Sequence, residues 1–593
     1  MAAADDHRPP VSGHAAHGAQ VSAHPQDLDY IRTNIPCQWT CPAHTNVPAY
    51  ILAGYHEDYQ RSYLVNRASN LFPGVLGRIC SRPCEDACRH GESDLGEPVG
   101  ICHLKRVAAD QRAETALPAE AVLPPTGKSV GVVGAGPAGL AAAHSLAIFG
   151  HKVVVYEREE HPGGMLWYGI PEFRLPRDVI RQEVDQILSL GVGIEYRKAL
   201  GRDLTVADLL ARHDAVALST GCYNAYELPV PGTDKQGFHY GLDYMMRINA
   251  HHPPPVGPRV IVLGGGFTAF DCARSARRSG ATDVSICILE TEELLTVTRE
   301  EIVEAKREGI ALRSLVTSQE ITGGEDVEGV RFARNRLGGL DEQGRRKTTP
   351  IEGSEFELPA ETVIAAIGQR PELSPAATGM EQPPRFDDHG ASDVAGLFAA
   401  GDFATGASTV IGSIGNARRL AILVDAQLMG TRRRREVVTI ESGDDTQRKR
   451  AWDFIERVHM PARLLEERLA GQDVEVETGY DLAQGQEEAR RCYLCNLKYE
   501  IDVPGCIYCR WCIDLCPRDC IGLASEIRRD GGHLGESITW TDRWDQVAGV
   551  VIDNDRCIRC GICLRICPTK CIHVRLVNLT EQLSVDGEAP HGA

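Results

Sequence analysis

The 593-residue sequence predicts an α/β multidomain fold. Three observations predict it: two strand–glycine turn–helix units in mid-chain, a helical cysteine-bearing stretch before them, and a doubled cysteine spacing after them. So long a chain exceeds what one hydrophobic core supports, so several domains are expected. Hydrophobic content of 43% and charged content of 24% fit a globular protein. The formal net charge of −19 argues against nucleic acid and anionic membrane as partners, and favours a basic patch on any docking partner.

The chain holds 21 cysteines, most in tight local sets. At this length the pattern points to metal clusters in a reducing compartment, the cytoplasm, rather than to a disulfide framework. The N-terminus lacks the basic start and apolar core of a signal peptide. Residues 1–30 are polar, without hydrophobic period, and are expected to be a disordered tail. Residues 31–125 carry six cysteines among short helical patterns and read as a helical domain.

The unit at 126–240 opens with Ser129-Val-Gly-Val-Val and a GxGxxG turn at Gly134, Gly136 and Gly139, with Pro137 and Ala138 inside it. Such glycines let backbone approach a pyrophosphate at a helix N-terminus. Glu157, at the end of the next strand, is placed to hold a ribose diol. The apolar run from Val130 to Phe149 is broken by glycines and reads as this turn, not as a membrane span.

A second unit, 241–367, carries Val260-Ile-Val-Leu followed by Gly264, Gly265, Gly266, Phe267, Thr268 and Asp271. Residues 368–430 return to the first unit, so the two Rossmann-like domains are nested. Two such folds imply FAD and a nicotinamide dinucleotide; S-adenosylmethionine is the rival ligand for one turn. Residues 431–499 read as a helical, charged linker containing a CxxC pair. Within it, Arg432–Arg435 is either a solvated face or a docking site.

Residues 500–575 hold the most specific motif. Cys506-x2-Cys509-x2-Cys512-x3-Cys516-Pro517 recurs as Cys557-x2-Cys560-x2-Cys563-x3-Cys567-Pro568. This is the spacing of an α+β bacterial-type domain with two [4Fe–4S] clusters, in which the cysteine before proline serves the other cluster. Cys506, Cys509 and Cys512 therefore group with Cys567, and Cys557, Cys560 and Cys563 with Cys516. A zinc site would need only four ligands at looser spacing. Cys520 and Cys571 read as thiols beside these sets or in the core. The stretch from Arg528 to Val547 exceeds a minimal ferredoxin and predicts an inserted loop or hairpin. Residues 576–593 read as a frayed tail.

Further text carries a family resemblance: Phe72-Pro-Gly-Val-Leu-Gly-Arg78-Ile-Cys80, Pro83-Cys84-Glu85-Asp-Ala-Cys88, Gly163-Gly164-Met165-Leu166 and Gly401-Asp402. Over residues 34–430 the sequence resembles the small (beta) subunit of glutamate synthase and the N-terminal half of dihydropyrimidine dehydrogenase. It is also similar to the large subunit of a ferredoxin:NADP transhydrogenase. These are FAD and iron–sulfur NAD(P)H oxidoreductases, here with a ferredoxin domain appended. The resemblance implies electron transfer between a nicotinamide and ferredoxin or a partner redox enzyme in a hetero-oligomer. The partner is a 2-oxoacid oxidoreductase or a sulfite reductase; a glutamate synthase large subunit is the alternative. It implies flavin-mediated hydride transfer with no catalytic acid or base.

The resemblance adds Arg158, Gly163, Gly164, Met165, Leu166, Thr220, Gly221, Gly401 and Asp402 to the FAD contacts, with Asp402 on the ribityl chain. It adds Gly368 to the nicotinamide contacts. Where NADP-using members carry an arginine-bearing triplet, this chain has Ile288-Leu289-Glu290. A carboxylate there suits a ribose diol and repels a phosphate, which favours NAD(H) over NADP(H); Arg274, Arg277 or Arg299 is the alternative 2′-phosphate contact. The helical domain is expected to hold two clusters. Cys80, Cys84 and Cys88 are expected to take Cys102 as fourth ligand, the alternative being a buried thiol there and a polar ligand from elsewhere. Cys37 and Cys41 are expected to be completed by the permuted pair Cys492 and Cys495, the alternative being two separate pairs without a cluster. Four [4Fe–4S] clusters then use sixteen cysteines, and Cys222, Cys272 and Cys287 read as core.

Overall fold

A computed structural model describes residues 19–22, 28–92, 96–112, 120–340, 346–378, 382–529 and 535–588. Short helices open the chain, among them Pro36–Thr40, Pro83–Asp86 and Ile101–Gln111. Proline at the first helical turn starts the first two, where no backbone N–H partner is lost.

The first nucleotide-binding sheet is parallel. Its order is Leu397–Ala399, Ala215–Leu218, Ser129–Val133, Lys152–Tyr156, Gly193–Glu195. The late strand Leu397–Ala399 beside Ala215–Leu218 is the mark of nesting: the chain leaves this domain and returns. The second parallel sheet runs Ala311–Arg313, Asp283–Cys287, Arg259–Leu263, Thr362–Ala365, Phe238–Tyr240. It therefore begins at Phe238, three residues inside the stretch expected to belong to the first domain. Both central strands are buried beyond their first residue, as parallel strands covered by helices on both faces must be.

The C-terminal region departs from the expected layout. Residues 432–442, expected to be helical, form the strand Arg432–Ser442. It pairs antiparallel with Ile572–Glu588, which also pairs with Leu497–Ile501. Residues 576–588 are thus a strand at the centre of a sheet, not a frayed end. The inserted hairpin is formed by Ile521–Arg529 and Gly535–Trp540. Ala19–Ser22, placed in the disordered tail, adds to its edge; residues 1–18, 23–27 and 589–593 of the two tails lie outside the described residues.

The arginine run is not one solvated face: Arg432 and Arg435 are exposed, but the two between them are not. Arg433 and Arg434 are buried. Arg433 donates to both carboxylate oxygens of Asp425 and to the Phe149 carbonyl, and Arg434 pairs with Glu581. His151 meets the same Asp425 at 3.0 Å. The strand shifts register between Arg432 and Arg434, and partners on the long helix Val410–Met429 and on Ile572–Glu588 make the burial of two successive arginines tolerable.

One hydrophobic core runs from Ile35 and Phe72 through Val130 and Leu146 to Ile558 and Leu579. It joins the helical domain, the first nucleotide domain and the C-terminal sheet. The second nucleotide domain has its own cores, and ion pairs join it to the rest. Arg174 pairs with Asp271 at 2.8 Å and Glu301 at 2.5 Å; Arg457 joins Glu85 at 2.6 Å to Glu300 at 3.4 Å.

Replacing Asp425 by alanine strands Arg433 and His151 without their carboxylate. The expected loss is roughly 3–5 kcal/mol, the range for breaking a buried pair from one side. Urea unfolding should show it, while Arg432→Ala, at an exposed position of the same run, should stay within about 0.5 kcal/mol of wild type.

Candidate functional site

The first glycine turn shapes a large cleft. Gly134 has φ +101°, and a Cβ there would lie 2.5 Å from the Ser219 carbonyl; one on Gly139 would lie 1.8 Å from the Gly134 carbonyl. Only bare backbone permits this approach of helix to strand. The cleft has a cavity volume of about 680 Å³, on the scale of a cofactor site. Of the expected residues, Gly134, Gly136, Pro137, Ala138, Glu157, Arg158, Gly164, Met165, Thr220, Gly221 and Asp402 line it. Gly139, Gly163, Leu166 and Gly401 lie behind the wall. The Gly163 N–H donates to the Ala135 carbonyl, Leu166 is fully buried, and the Gly401 N–H donates to Asn416.

Glu157 accepts from the backbone N–H of Ala135 at 2.6 Å and Glu159 at 2.9 Å. Burial pushes its carboxyl upward, opposed by those donors. Asp402 accepts from Ser408 and Ser413, each at 2.7 Å. The Arg158 guanidinium stacks 3.7 Å from the Tyr223 ring centre. Lys198, Arg202 and Tyr223 also line the cleft and escaped the sequence reading. They follow the ends of strands in loops without motif, so no local signal marks them. The residues present fit FAD: a glycine cradle for phosphate, carboxylates for hydroxyls, and cations at the rim.

At the second turn, a Cβ on Gly265 would sit 3.8 Å from Glu290 Oε1, which puts the carboxylate beside the glycine turn. Gly264 and Gly368 take φ of +125° and +104°, and Gly266 caps the helix Phe267–Arg278 that begins with Phe267 and Thr268. Asp271 is different. It is buried and held by Arg174, with burial pushing its carboxyl up to about 6. It ties two domains together and is not directed at a nucleotide, a correction to the expected set. Two of the arginines proposed for a 2′-phosphate are engaged elsewhere. Arg274 bonds Glu308 at 3.0 Å, and Arg277 bonds the carbonyls of Glu308, Ala281 and Thr282. Arg299 is exposed at the start of the helix Arg299–Arg307.

The cysteines gather into four groups. Cys506, Cys509, Cys512 and Cys567 line one cavity together with Cys571, and Cys557, Cys560, Cys563 and Cys516 line a second together with Cys520. These are the two sets the doubled spacing implies. The helical-domain sets exchange a member each. Cys37 shares a third cavity with Cys88, Cys492 and Cys495, not with Cys41. Cys41 instead joins Cys80, Cys84 and Cys102 around Lys105. The reason is geometric. Cys37 lies in the helix Pro36–Thr40 and Cys41 just past its end; Cys84 lies in Pro83–Asp86 and Cys88 just past its end. Chain direction changes between the members of each pair, so they face opposite sides, as Cys516 and Cys567 do relative to their own triplets.

The three cavities are alike in size and are lined by thiols and apolar side chains, which suits one kind of guest. Among the described residues no group of three or more His, Cys, Asp or Glu converges on a point for a single ion. Rings of four thiolates around a cavity fit a [4Fe–4S] cluster. Cys520 lies 3.3 Å from Cys516 and holds that thiol down at about 6, toward the thiolate that iron needs. Cys571 lies 3.5 Å from Cys567.

Comparison with known proteins agrees in outline. Residues 128–421 match the pyridine nucleotide-disulphide oxidoreductase family. Residues 32–117 match the dihydropyrimidine dehydrogenase domain II, 4Fe-4S cluster family, and residues 505–571 a 4Fe-4S dicluster domain. The chain is 34% identical to the NADP(+)-dependent formate dehydrogenase subunit beta of Moorella thermoacetica, across 78% of this chain and 70% of that one. It is 35% identical to the NADPH-Fe(3+) oxidoreductase subunit beta of Geobacter sulfurreducens, across 78% and 75%. It is 36% identical to the glutamate synthase (NADPH) small chain of Azospirillum brasilense, across 65% and 84%.

The exchanged sets have a spectroscopic consequence. Cys88→Ser should remove the same iron–sulfur electron paramagnetic resonance (EPR) component as Cys492→Ser. Cys41→Ser should remove the one lost in Cys80→Ser. The opposite grouping would refute the exchange.

Proposed function

Because this chain belongs to the family of FAD- and iron–sulfur-dependent NAD(P)H oxidoreductases that includes glutamate synthase small chains, we propose that it is the electron-transfer subunit of a hetero-oligomer, connecting a nicotinamide to ferredoxin or a partner redox enzyme. FAD, when bound, supplies the conversion between a hydride's electron pair and single electrons.

The observation that carries the proposal is the order of the thiol rings. The helix Val410–Met429 runs from the FAD cleft, which Val410 and Ser413 line, to the Cys41 segment, where Arg419 donates to the Pro42 carbonyl. From the Cys41 ring the next station is the Cys37 ring, reached along either short CxxxC segment. Arg559 then bridges to the third ring, donating to the carbonyls of Cys495 and Cys557. The last ring ends at Cys509, which is exposed while Cys41, Cys80, Cys84 and Cys102 are buried. A buried entrance beside the flavin cleft and a surface exit is what a relay to a second protein requires.

The chain's own residues serve this relay without acid–base chemistry. Glycine turns and carboxylates orient the nucleotides; apolar side chains and buried guanidiniums keep water from the inner thiols. The partner we favour is a 2-oxoacid oxidoreductase or sulfite reductase. The Azospirillum relative supports a second reading, delivery to a glutamate-forming large subunit. All 21 cysteines are unpaired, which suits a reducing cytoplasm. Among the described residues no helix is long and apolar enough to cross a membrane.

Anaerobic mixing with reduced nicotinamide should bleach flavin and clusters together, and Cys509→Ser should slow transfer to a protein acceptor more than the bleaching. Flavin and cluster absorbance unmoved by NADH and NADPH alike would end the proposal. Coenzyme choice rests on Glu290, against the NADP(H) in the names of the relatives. If Glu290 accepts from a ribose diol, NADH should give the higher kcat/KM. Glu290→Ala should then lower the NADH:NADPH ratio by roughly tenfold, the worth of one charged hydrogen bond. A ratio favouring NADPH in the wild type would assign the coenzyme the other way.

A further inference from the structure

We propose that Lys105 sets the charge balance of the site formed by Cys41, Cys80, Cys84 and Cys102, and that its ammonium raises the reduction potential of the cluster held there. The inference rests on reading those four thiols as one [4Fe–4S] site.

Lys105 is only 3% exposed, and lysines are almost never so buried without a partner. It lies three residues after Cys102 on the helix Ile101–Gln111, so both side chains share one face. The charges that act on it are those of Cys102, Cys80, Cys84 and Cys41, and no carboxylate among the described residues forms an ion pair with it. Other buried cations nearby are already matched. Arg418 pairs with Glu581 at 2.6 Å, Arg82 with Glu300 at 3.1 Å and Arg106 with Asp110 at 3.0 Å. Lys105 is therefore a buried positive charge beside this thiol set, with no carboxylate paired to it among the described residues.

An added electron makes a cluster more negative. A fixed cation in a medium of low dielectric favours that state over the oxidised one, which raises the potential. In the proposed relay this ring stands next to the flavin cleft. Lys105 would make it a ready acceptor for single electrons leaving the flavin, and a poor donor back to it.

The test is an anaerobic redox titration of the loaded full-length protein, followed by EPR, for wild type, Lys105→Met and Lys105→Arg. Lys105→Met should lower one midpoint potential by at least a tenfold change in its equilibrium, 59 mV for one electron. The other potentials and the iron content should hold, and Lys105→Arg should keep the wild-type value. If Lys105→Met does not load, Lys105→Gln is read the same way. Full iron with every potential unmoved in the neutral variant would overturn the role of Lys105. The underlying ligand assignment fails separately, if Cys102→Ser retains every iron–sulfur EPR component.

Discussion

The structure depends on one constraint: the helical domain cannot complete the ring of Cys37 and Cys88 from its own segment. Cys37 and Cys88 come from one end of the sequence, and Cys492 and Cys495 from more than four hundred residues away. The cavity they ring exists only when the strand Leu497–Ile501 and the helix Leu482–Arg491 have docked against the N-terminal helices. Folding of that region and completion of its thiol ring are therefore one event. A bound cluster adds to the stability of the assembled state, because ligands that are far apart in an unfolded chain bind metal only when folded.

Buried guanidiniums make the docking specific. Arg448, Arg491 and Arg559 are among the largest fully buried side chains. Arg559 donates to the carbonyls of Leu497, Cys495 and Cys557; Arg448 donates to those of Cys492, Arg491 and Ile558 and pairs with Asp453 at 2.5 Å. Each links segments that carry thiols of two different rings. Burying such ions costs solvation, so their geometry must be met closely or not at all. That selects a single relative placement of the ferredoxin-like and helical parts, and a fixed placement is what electron transfer between neighbouring rings needs.

The second nucleotide domain is attached by different means. Its contacts with the rest include ion pairs at Arg174, Arg457 and Glu300 and the stacking of Arg278 on Phe173. Asp271 shows why motif reading overreached here. Its place after the glycine turn suggests a nucleotide contact, yet the nearest cation is Arg174 of the neighbouring domain, and the carboxylate is spent on it.

By itself the sequence determined everything that local spacing controls. The glycine turns at Gly134 and Gly264, the carboxylate at Glu157 and the two interleaved sets led by Cys506 and Cys557 each follow from contacts within a few residues of backbone or from an exact repeat. Only the tertiary structure decided which of Cys41 and Cys88 faces which ring, that Arg433 lies against Asp425, and that Lys105 is buried. Those outcomes depend on the direction a side chain takes after a helix ends, and on what a segment hundreds of residues away packs against it. Neither quantity is written in the spacing of residues along the chain.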